Sequence, residues 1–583
     1  MDQKRLIMAI AFSIAILAGW QWLVPSPKRA PLPPAQEAAD QTVPPPSPFT
    51  PKEGSPGAGA APDANPAPEP ANAPRLKIAA ERVQGSVSLL GARIDDVVLT
   101  DYHETTDPGS PLVRLLAPRS DSKPYYAQYG WSAAAGSSVK TPSNDTVWTA
   151  SADRLATGRP VTLSWDNGAG LTFEIELSVD ADYMFSVAQR VRNATGQPVQ
   201  LYPWARLRRD YTPQLSGYAV LFEGLLGVED GSLKEVSYSS AKSEGEKHDG
   251  VAYAKQAAGG WAGITDKYWL AALVPDQTTD SNLTFRHLAE AGDHYQVDYA
   301  THDPQTVPPG GEASLQTHLF AGAKVVKLLD RYETQYSIPN FDKAVDFGWF
   351  YFLTKPIFYA IDWLNEGLGN FGLAIMAFTL FVKALFFPLA NYSYRSMSRM
   401  KLLGPKMTSL RERLKDEPQK LQSEMMALYR EEKVNPASGC LPMLIQIPVF
   451  FSLYKVIIVT IEMRQAPFFG WIRDLSQVDP TNVFNLFGLL PFDPSVYSHF
   501  LHLGAWPLIM GGTMFLQQRL NPPPPDPMQA RIFQFMPLIF MFMLANFPAG
   551  LVIYWSWNNS LSVAQQWLIQ RRTRLPKPNL ART

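Results

Sequence analysis

The chain has 583 residues, 46% of them hydrophobic and 18% charged, with a formal net charge of −1 and one cysteine, Cys440. That length exceeds one ordinary domain, and the near-zero net charge excludes a globally basic nucleic-acid binder. A lone cysteine excludes an intramolecular disulfide and a cysteine-built metal site.

Leu6 to Val24 is an apolar run preceded by Lys4 and Arg5. A cleaved signal peptide competes with an uncleaved anchor, and Gly19-Trp20-Gln21-Trp22 followed by Pro25 favours the anchor, residues 1–24, over a small-x-small cleavage site. Tryptophans at the far end suit a membrane interface, with the basic N-terminus left in the cytoplasm. Residues 25–75 read as a Pro/Ala-rich linker. Sixteen prolines among residues 25–74 leave too few large apolar groups to offset the entropy of ordering, so a tether is favoured over a proline-rich ligand.

Residues 76–341 change to period two. Leu171-Thr172-Phe173-Glu174-Ile175-Glu176-Leu177 alternates apolar and polar, and Asp166-Asn167-Gly168, Asp230-Gly231 and Pro308-Pro309-Gly310 mark turns. Short alternating strands over this length predict a large antiparallel β-sandwich. Its histidines, His103, His248, His287, His294, His302 and His318, lack metal-ligand spacing and read as ordinary strand or surface residues. The aromatic stretch Gly259 to Trp269 has two readings, stacking on a sugar or partner and plain burial in strands, the second being the commoner.

Residues 342–583 hold the remaining apolar segments. The segment 345–368, interrupted by Lys355-Pro356 and Asp362, predicts a helix lying in the membrane interface. Membrane spans are predicted near 371–390, 441–461, 500–520, 532–547 and 551–569. Residues 391–440 carry ten Lys/Arg and the tail carries Arg571, Arg572, Arg574, Lys577 and Arg582, against only Arg464 and Arg473 in 462–499. The positive-inside rule therefore puts the 391–440 loop and the tail in the cytoplasm. With the anchor this makes six spans, five of them a core, both termini inside, and the domain after the anchor on the other side. Helical spacing of Met397, Met400, Met407, Leu410 and Leu414, then Leu421, Met425 and Leu428, predicts a helical hairpin within 391–440. Its methionines suit seam packing and also an adaptable surface for apolar segments, Met397, Met400 and Met425 being possible nascent-chain contacts.

Nineteen residues of Phe371–Ala390 are uncharged and the other is Lys383, with Pro388 one turn on. A lysine there costs about 2.5–3.5 kcal/mol on insertion scales, and a proline frees a carbonyl that lipid cannot satisfy. Gln446, Thr513 and Ser562 fall at a similar depth from the cytoplasmic side, with Gln517, Gln518, Gln534, Gln565 and Gln566 nearer that face. Two readings stand: Lys383 snorkels to the interface, or these groups outline a hydrophilic pocket in the cytoplasmic half of the bilayer. Lys455, near the opposite end of its span, is expected to snorkel outward. No phosphate loop, HExxH, GxSxG or Asp within the core spans occurs, so covalent chemistry, a cofactor and a metal are not expected.

The run Leu428-Tyr429-Arg430-Glu431-Glu432-Lys433-Val434-Asn435-Pro436-Ala437-Ser438-Gly439-Cys440-Leu441-Pro442, continuing through Gln446 to Phe451, resembles the signature of the YidC/Oxa membrane-insertase family. Ala466-Pro467-Phe468, Gly470-Trp471-Ile472-Arg473-Asp474-Leu475-Ser476 and Pro548-Ala549-Gly550-Leu551 do so too. The order of anchor, linker, β-domain and five-helix core is similar to the Gram-negative bacterial form. The resemblance implies an inner-membrane insertase and chaperone, not an enzyme, that is monomeric and works alone or beside the Sec translocon. Nascent membrane proteins, the ribosome and lipids are the partners implied, with no sequence-specific nucleic-acid binding. It further implies a mutarotase-like supersandwich in the periplasm and a cytoplasm-open groove with a basic residue, usually arginine and here Lys383. Lysine keeps the charge and loses the bidentate fork. A transporter or channel for a small anion is the alternative, and a periplasmic scaffold with a membrane anchor a third.

Overall fold

The computed structural model describes residues 73–572, apart from 135, 218–220, 290–291, 416, 433, 435–440, 498–500 and 522–526. The expected anchor, nearly all of the linker, and 435–440 of the family signature lie outside the described residues.

Among those residues, the strands from Arg75–Ala79 to Glu312–Ala323 form two sheets, one of eleven strands and one of nine. Leu171–Val179 alternates without exception between buried and half-buried side chains, because period-two residues share one face of a strand. It pairs antiparallel with Met184–Asn193, Leu171 opposite Asn193, and that strand pairs with Glu312–Ala323. In the larger sheet Val199–Arg209 lies between Tyr125–Ala133 and Asp293–Thr301. The short pairing of Arg75–Ala79 with Arg154–Leu155 is parallel. Trp261 is fully buried, its indole Nε1 donating to the Pro339 carbonyl at 3.2 Å and its ring meeting Phe341 edge-on, so that stretch is core rather than a stacking surface. His287 and His294 bond Asp293 and Asp210 at 2.9 and 2.7 Å.

The helices are α1 (Tyr238–Gly245), α2 (Val326–Gln335), α3 (Tyr351–Leu368), α4 (Phe371–Leu385), α5 (Phe387–Leu402), α6 (Gly404–Arg413), α7 (Pro418–Glu431), α8 (Leu441–Val459), α9 (Ala505–Leu520), α10 (Pro527–Met543) and α11 (Ala549–Arg572). The stretch expected to be one helix over 371–390 is two, bent by 67° between α4 and α5. Pro388 has no N–H for the Ala384 carbonyl, and its ring crowds that group, so the axis turns there. No single described helix is long and apolar enough to cross a membrane, while the bent pair α4 and α5 passes the length and composition test together. The expected hairpin helix is likewise split, at Leu403 between α5 and α6, and Leu403, Met407, Tyr429 of α7 and Val434 form a small buried cluster, with Met400 and Met425 packed on it. Met397 is half-buried.

The interior of the sandwich is continuous with the helices, one apolar cluster running from Leu76 through Ile357, Ile375 and Leu453 to Tyr554. Ionic contacts reinforce that junction. Lys455 does not reach outward to water: its ammonium donates to Asp346 at 2.8 Å and the side chain is 14% exposed. Asp346 also accepts the Phe222 N–H at 3.0 Å, so the aspartate lies where an inward turn is cheaper for Lys455 than crossing apolar surface. Lys355 sits between Asp330 and Asp342, filling with its own ammonium the acidic group these form with Glu333. Val325 offers α2 no side-chain cap; instead Glu462, just past α8, accepts the Val326 N–H at 3.0 Å. Burial pushes the Glu462 carboxyl up to about 7, against the pull of that backbone N–H.

Candidate substrate groove

Lys383 lies on the last turn of α4, just before the bend. Its ammonium donates to Ser562 Oγ of α11 at 2.8 Å, and Ser562 donates onward to the Asn558 carbonyl at 2.8 Å. No carboxylate among the described residues pairs with it. Gln446 of α8 donates from Nε2 to the Tyr554 hydroxyl of α11. Three helices thus each supply a polar group to one place: α4 because its apolar faces pack on α3 and α11, α8 through Gln446, the polar residue of the apolar stretch 445–451, and α11 through an i, i+4 row.

Two hollows adjoin there and share Val382, Lys383, Gln446 and Val449. The outer takes in about 460 Å³, open solvent at its mouth included, and reaches Phe386, Ala390 and Tyr394 at and beyond the bend, together with Gln565. The inner, about 180 Å³ with open solvent included, ends on Thr379, Leu453, Tyr554 and Asn558. The bend at Pro388 is therefore structural to the site, because α5 turns aside to wall the outer hollow instead of continuing along the axis of α4. An apolar wall with a few convergent polar groups is the usual make-up of a binding cleft.

The residues predicted from sequence divide into two sets. Lys383, Gln446 and Ser562 come together. Thr513, Gln517 and Gln518 lie on α9, which packs on another flank of α11: Thr513 donates to the Met510 carbonyl at 2.8 Å and receives Asn559 Nδ2 at 3.4 Å. Gln518 donates to the Phe533 carbonyl of α10, and Gln566 donates to Leu520 and Asn521 at 3.2 Å each. Equal depth from one membrane face does not specify the same azimuth around a helix, so Thr513 and Gln518 join helices, and neither they nor Gln517 is among the residues that line the two hollows. Sequence reasoning missed Thr379, Tyr394 and Tyr554 as lining residues. Tyr554 reads as an aromatic in an apolar run, Thr379 bonds its own helix at the Ile375 carbonyl (2.6 Å), and Tyr394 lies beyond the proline in what reads as loop. The i, i+4 row Tyr554, Asn558, Ser562 was the available signal.

Residues 75–360 match the family model of the YidC periplasmic domain, and residues 363–577 that of the 60Kd inner membrane protein. A protein of Granulibacter bethesdensis named membrane protein insertase YidC is 61% identical over 592 residues, covering 100% of both chains. One of Acidiphilium cryptum with the same name is 56% identical over 510 residues, covering 86% of this chain and 85% of that protein. Among solved structures, an active YidC insertase with its first transmembrane domain resolved is 18% identical with a TM-score of 0.35, covering 85% of this chain and 94% of that one. A galactose mutarotase-like protein from Lactobacillus casei is 10% identical with a TM-score of 0.27, covering 42% of this chain and 99% of the other.

Proposed function

This chain belongs to the YidC family of membrane protein insertases, and from that premise we propose that insertion runs through the hollow around Lys383. The chain is a membrane protein insertase of the inner membrane with a periplasmic β-domain. The observation that carries the groove reading is the company Lys383 keeps: a half-buried ammonium with a hydroxyl for partner and no carboxylate among the described residues.

Carrying a hydrophilic tail across about 30 Å of hydrocarbon is opposed by desolvation. A polar hollow reaching partway from the cytoplasmic side shortens the dry path. Lys383 attracts an acidic side chain of the incoming tail and compensates part of its desolvation, while Gln446, Tyr554 and Ser562 exchange hydrogen bonds with its backbone. The apolar segment of the client then leaves along the exposed apolar side chains of α4 and α10 into lipid, driven by its own partitioning. No nucleotide is needed for that step.

The remaining topology is proposed on the same footing: six spans, termini and hairpin in the cytoplasm, and α3 in the periplasmic interface, where Trp349, Phe352 and Trp363 are exposed. The seam of α6 and α7, with Met425 half-exposed at its edge, would meet clients or the ribosome, and the chain works alone or beside the Sec translocon. The sandwich carries no sugar chemistry in this reading. The test is photocrosslinking to a stalled membrane-protein nascent chain from positions 383, 446 and 562, with 513 and 517 for contrast. Crosslinks from the first three and not the last two support the groove; equal labelling from all five overturns it.

A further inference from the structure

Residues 483–497, between α8 and α9, are a built loop whose apolar side chains face outward. Its base is fixed: the Val483 N–H donates to the Leu503 carbonyl and Asn482 Nδ2 to the Leu501 carbonyl, both at 2.8 Å. Its tip is closed on itself, with the Phe487 N–H on the Asn482 carbonyl at 2.8 Å, the Gly488 N–H on Asn485 Oδ1 at 2.9 Å, and Asn485 Nδ2 on the Phe492 carbonyl at 3.2 Å. Leu486 and Phe487 both adopt the left-handed region, φ 52° and 59°, which side chains of their kind rarely take. Spending the loop's polar groups on internal bonds leaves Leu486, Phe487, Leu489, Phe492, Val496 and Tyr497 exposed, Leu489, Val496 and Tyr497 by about four-fifths (82, 79 and 81%).

We infer that this loop is a membrane-embedded wedge that sits among the lipids of the outer leaflet. This rests on the proposed reading that the helices span the bilayer, and three observations select lipid as the occupant. Between Arg473 and Arg519 the chain has no Lys or Arg, and between Asp479 and Arg519 its one acid is Asp493. Protein interfaces of comparable apolarity carry a polar rim and favour arginine, whereas a run this poor in charge suits acyl chains. The loop is followed in the chain by α9, whose Ile509, Phe515 and Leu516 are also exposed, as a proposed span presents apolar side chains to lipid. Its depth is set as well. The preceding segment is bound to the β-domain, the Tyr268 hydroxyl donating to Ser476 Oγ at 3.1 Å and Arg464 donating to the Glu104 carbonyl at 3.0 Å, which puts the loop at the end of the helices where that domain stands. There an apolar tip with Tyr497 beside it matches the zone just below the lipid headgroups.

The experiment uses the full chain with Cys440→Ser and one new cysteine at a time, Leu489→Cys, Leu538→Cys on α10 or Val147→Cys on the β-domain, each labelled with an environment-sensitive fluorophore. The proteins are reconstituted in phosphatidylcholine and phosphatidylglycerol vesicles. Quenching is read with iodide in the water and with lipid spin-labelled near the carbonyl end of the acyl chain. Position 489 is expected to emit to the blue of position 147, to lose most of its emission to the spin-labelled lipid, and to resist iodide. Quenching at 489 by iodide, or by neither agent as under a protein partner, with 538 still quenched by lipid, overturns the wedge alone. Lipid quenching absent at 538 overturns the spanning reading, and the wedge with it.

Discussion

The cations of the β-domain and of its junction with the helices are treated differently from the cation in the hollow. Arg209, buried between the sheets, has its guanidinium held by Asp266 at 2.8 and 2.6 Å and by the Tyr238 hydroxyl at 2.6 Å. Lys355 has Asp330 and Asp342, and Lys455 has Asp346. Even Lys324, whose ammonium donates to the Thr265 hydroxyl at 3.0 Å, lies in the field of Asp346, Asp266 and Glu223, while burial pulls it down to about 8. Lys383 has Ser562. A cation with an internal counter-charge is part of the architecture. A cation in a hollow with a hydroxyl for partner keeps its attraction available to an acidic group from outside.

The sharpest way to break this contrast is to reverse the charge in the hollow. Lys383→Glu is expected to lower insertion of a single-span client with an acidic translocated tail by about tenfold or more, since about 1.4 kcal/mol of lost attraction already gives that factor. Lys383→Arg should stay near the parent. Equal rates for both in reconstituted vesicles would show that the charge is idle. The counterpart in the β-domain is Asp266→Ala, which leaves Arg209 buried without its carboxylate and should destabilise the sandwich by roughly 3–5 kcal/mol. Denaturant unfolding reads that loss, and an insertion rate that falls before the domain unfolds would contradict the division between the two regions.

A smaller effect comes from Glu462, the tertiary cap of α2. Its folded-state value, about 7, lies above the ordinary 4.5, so the folded chain holds the proton more tightly than the unfolded one. That contribution is fully present below about 4.5 and is lost as pH rises through 7, with Asp362 adding to the shift and Lys327 opposing it. The thermal midpoint of the solubilised chain should fall across this window by up to about 1.4 kcal/mol per pH unit in stability terms, and Glu462→Gln should flatten the slope. An unchanged slope would mean that the carboxyl is charged throughout. The smallest effect is expected from Ser562→Ala, which removes the hydroxyl that positions Lys383 and keeps the charge. Insertion should drop only a few-fold, because the ammonium keeps its charge and water in the open hollow replaces the lost hydroxyl, leaving a net loss of about 0.5–1 kcal/mol. A loss as large as that of Lys383→Glu would make position, not charge, the operative property.

Much of the fold was legible because its signals are local. The strict alternation of Leu171–Val179, the turn dipeptides and the pattern of apolar runs each depend on a few neighbouring residues. Lys383 was conspicuous for the same reason, a charge in an apolar run. What was not legible required partners distant in sequence. Lys455 reads as a snorkelling lysine until Asp346, 109 residues away, is brought beside it. Thr513 and Ser562 look equivalent by depth, and only helix packing sends them to different flanks of α11.

By itself, then, the sequence determined the family, the β-sandwich, the apolar segments and the presence of a cation among them, because periodicity, composition and motif spacing are properties of the chain. Tertiary structure alone decided that α4 turns at Pro388 into the wall of a hollow, and that Tyr554, Gln446 and Ser562 meet there. It also decided that Arg209, Lys324, Lys355 and Lys455 each have a carboxylate in contact or in the near field, while Lys383 has none among the described residues. Those outcomes depend on azimuth and on long-range pairing. A helix fixes side-chain spacing along its axis, and it is the packing of its neighbours that selects which face looks into the hollow.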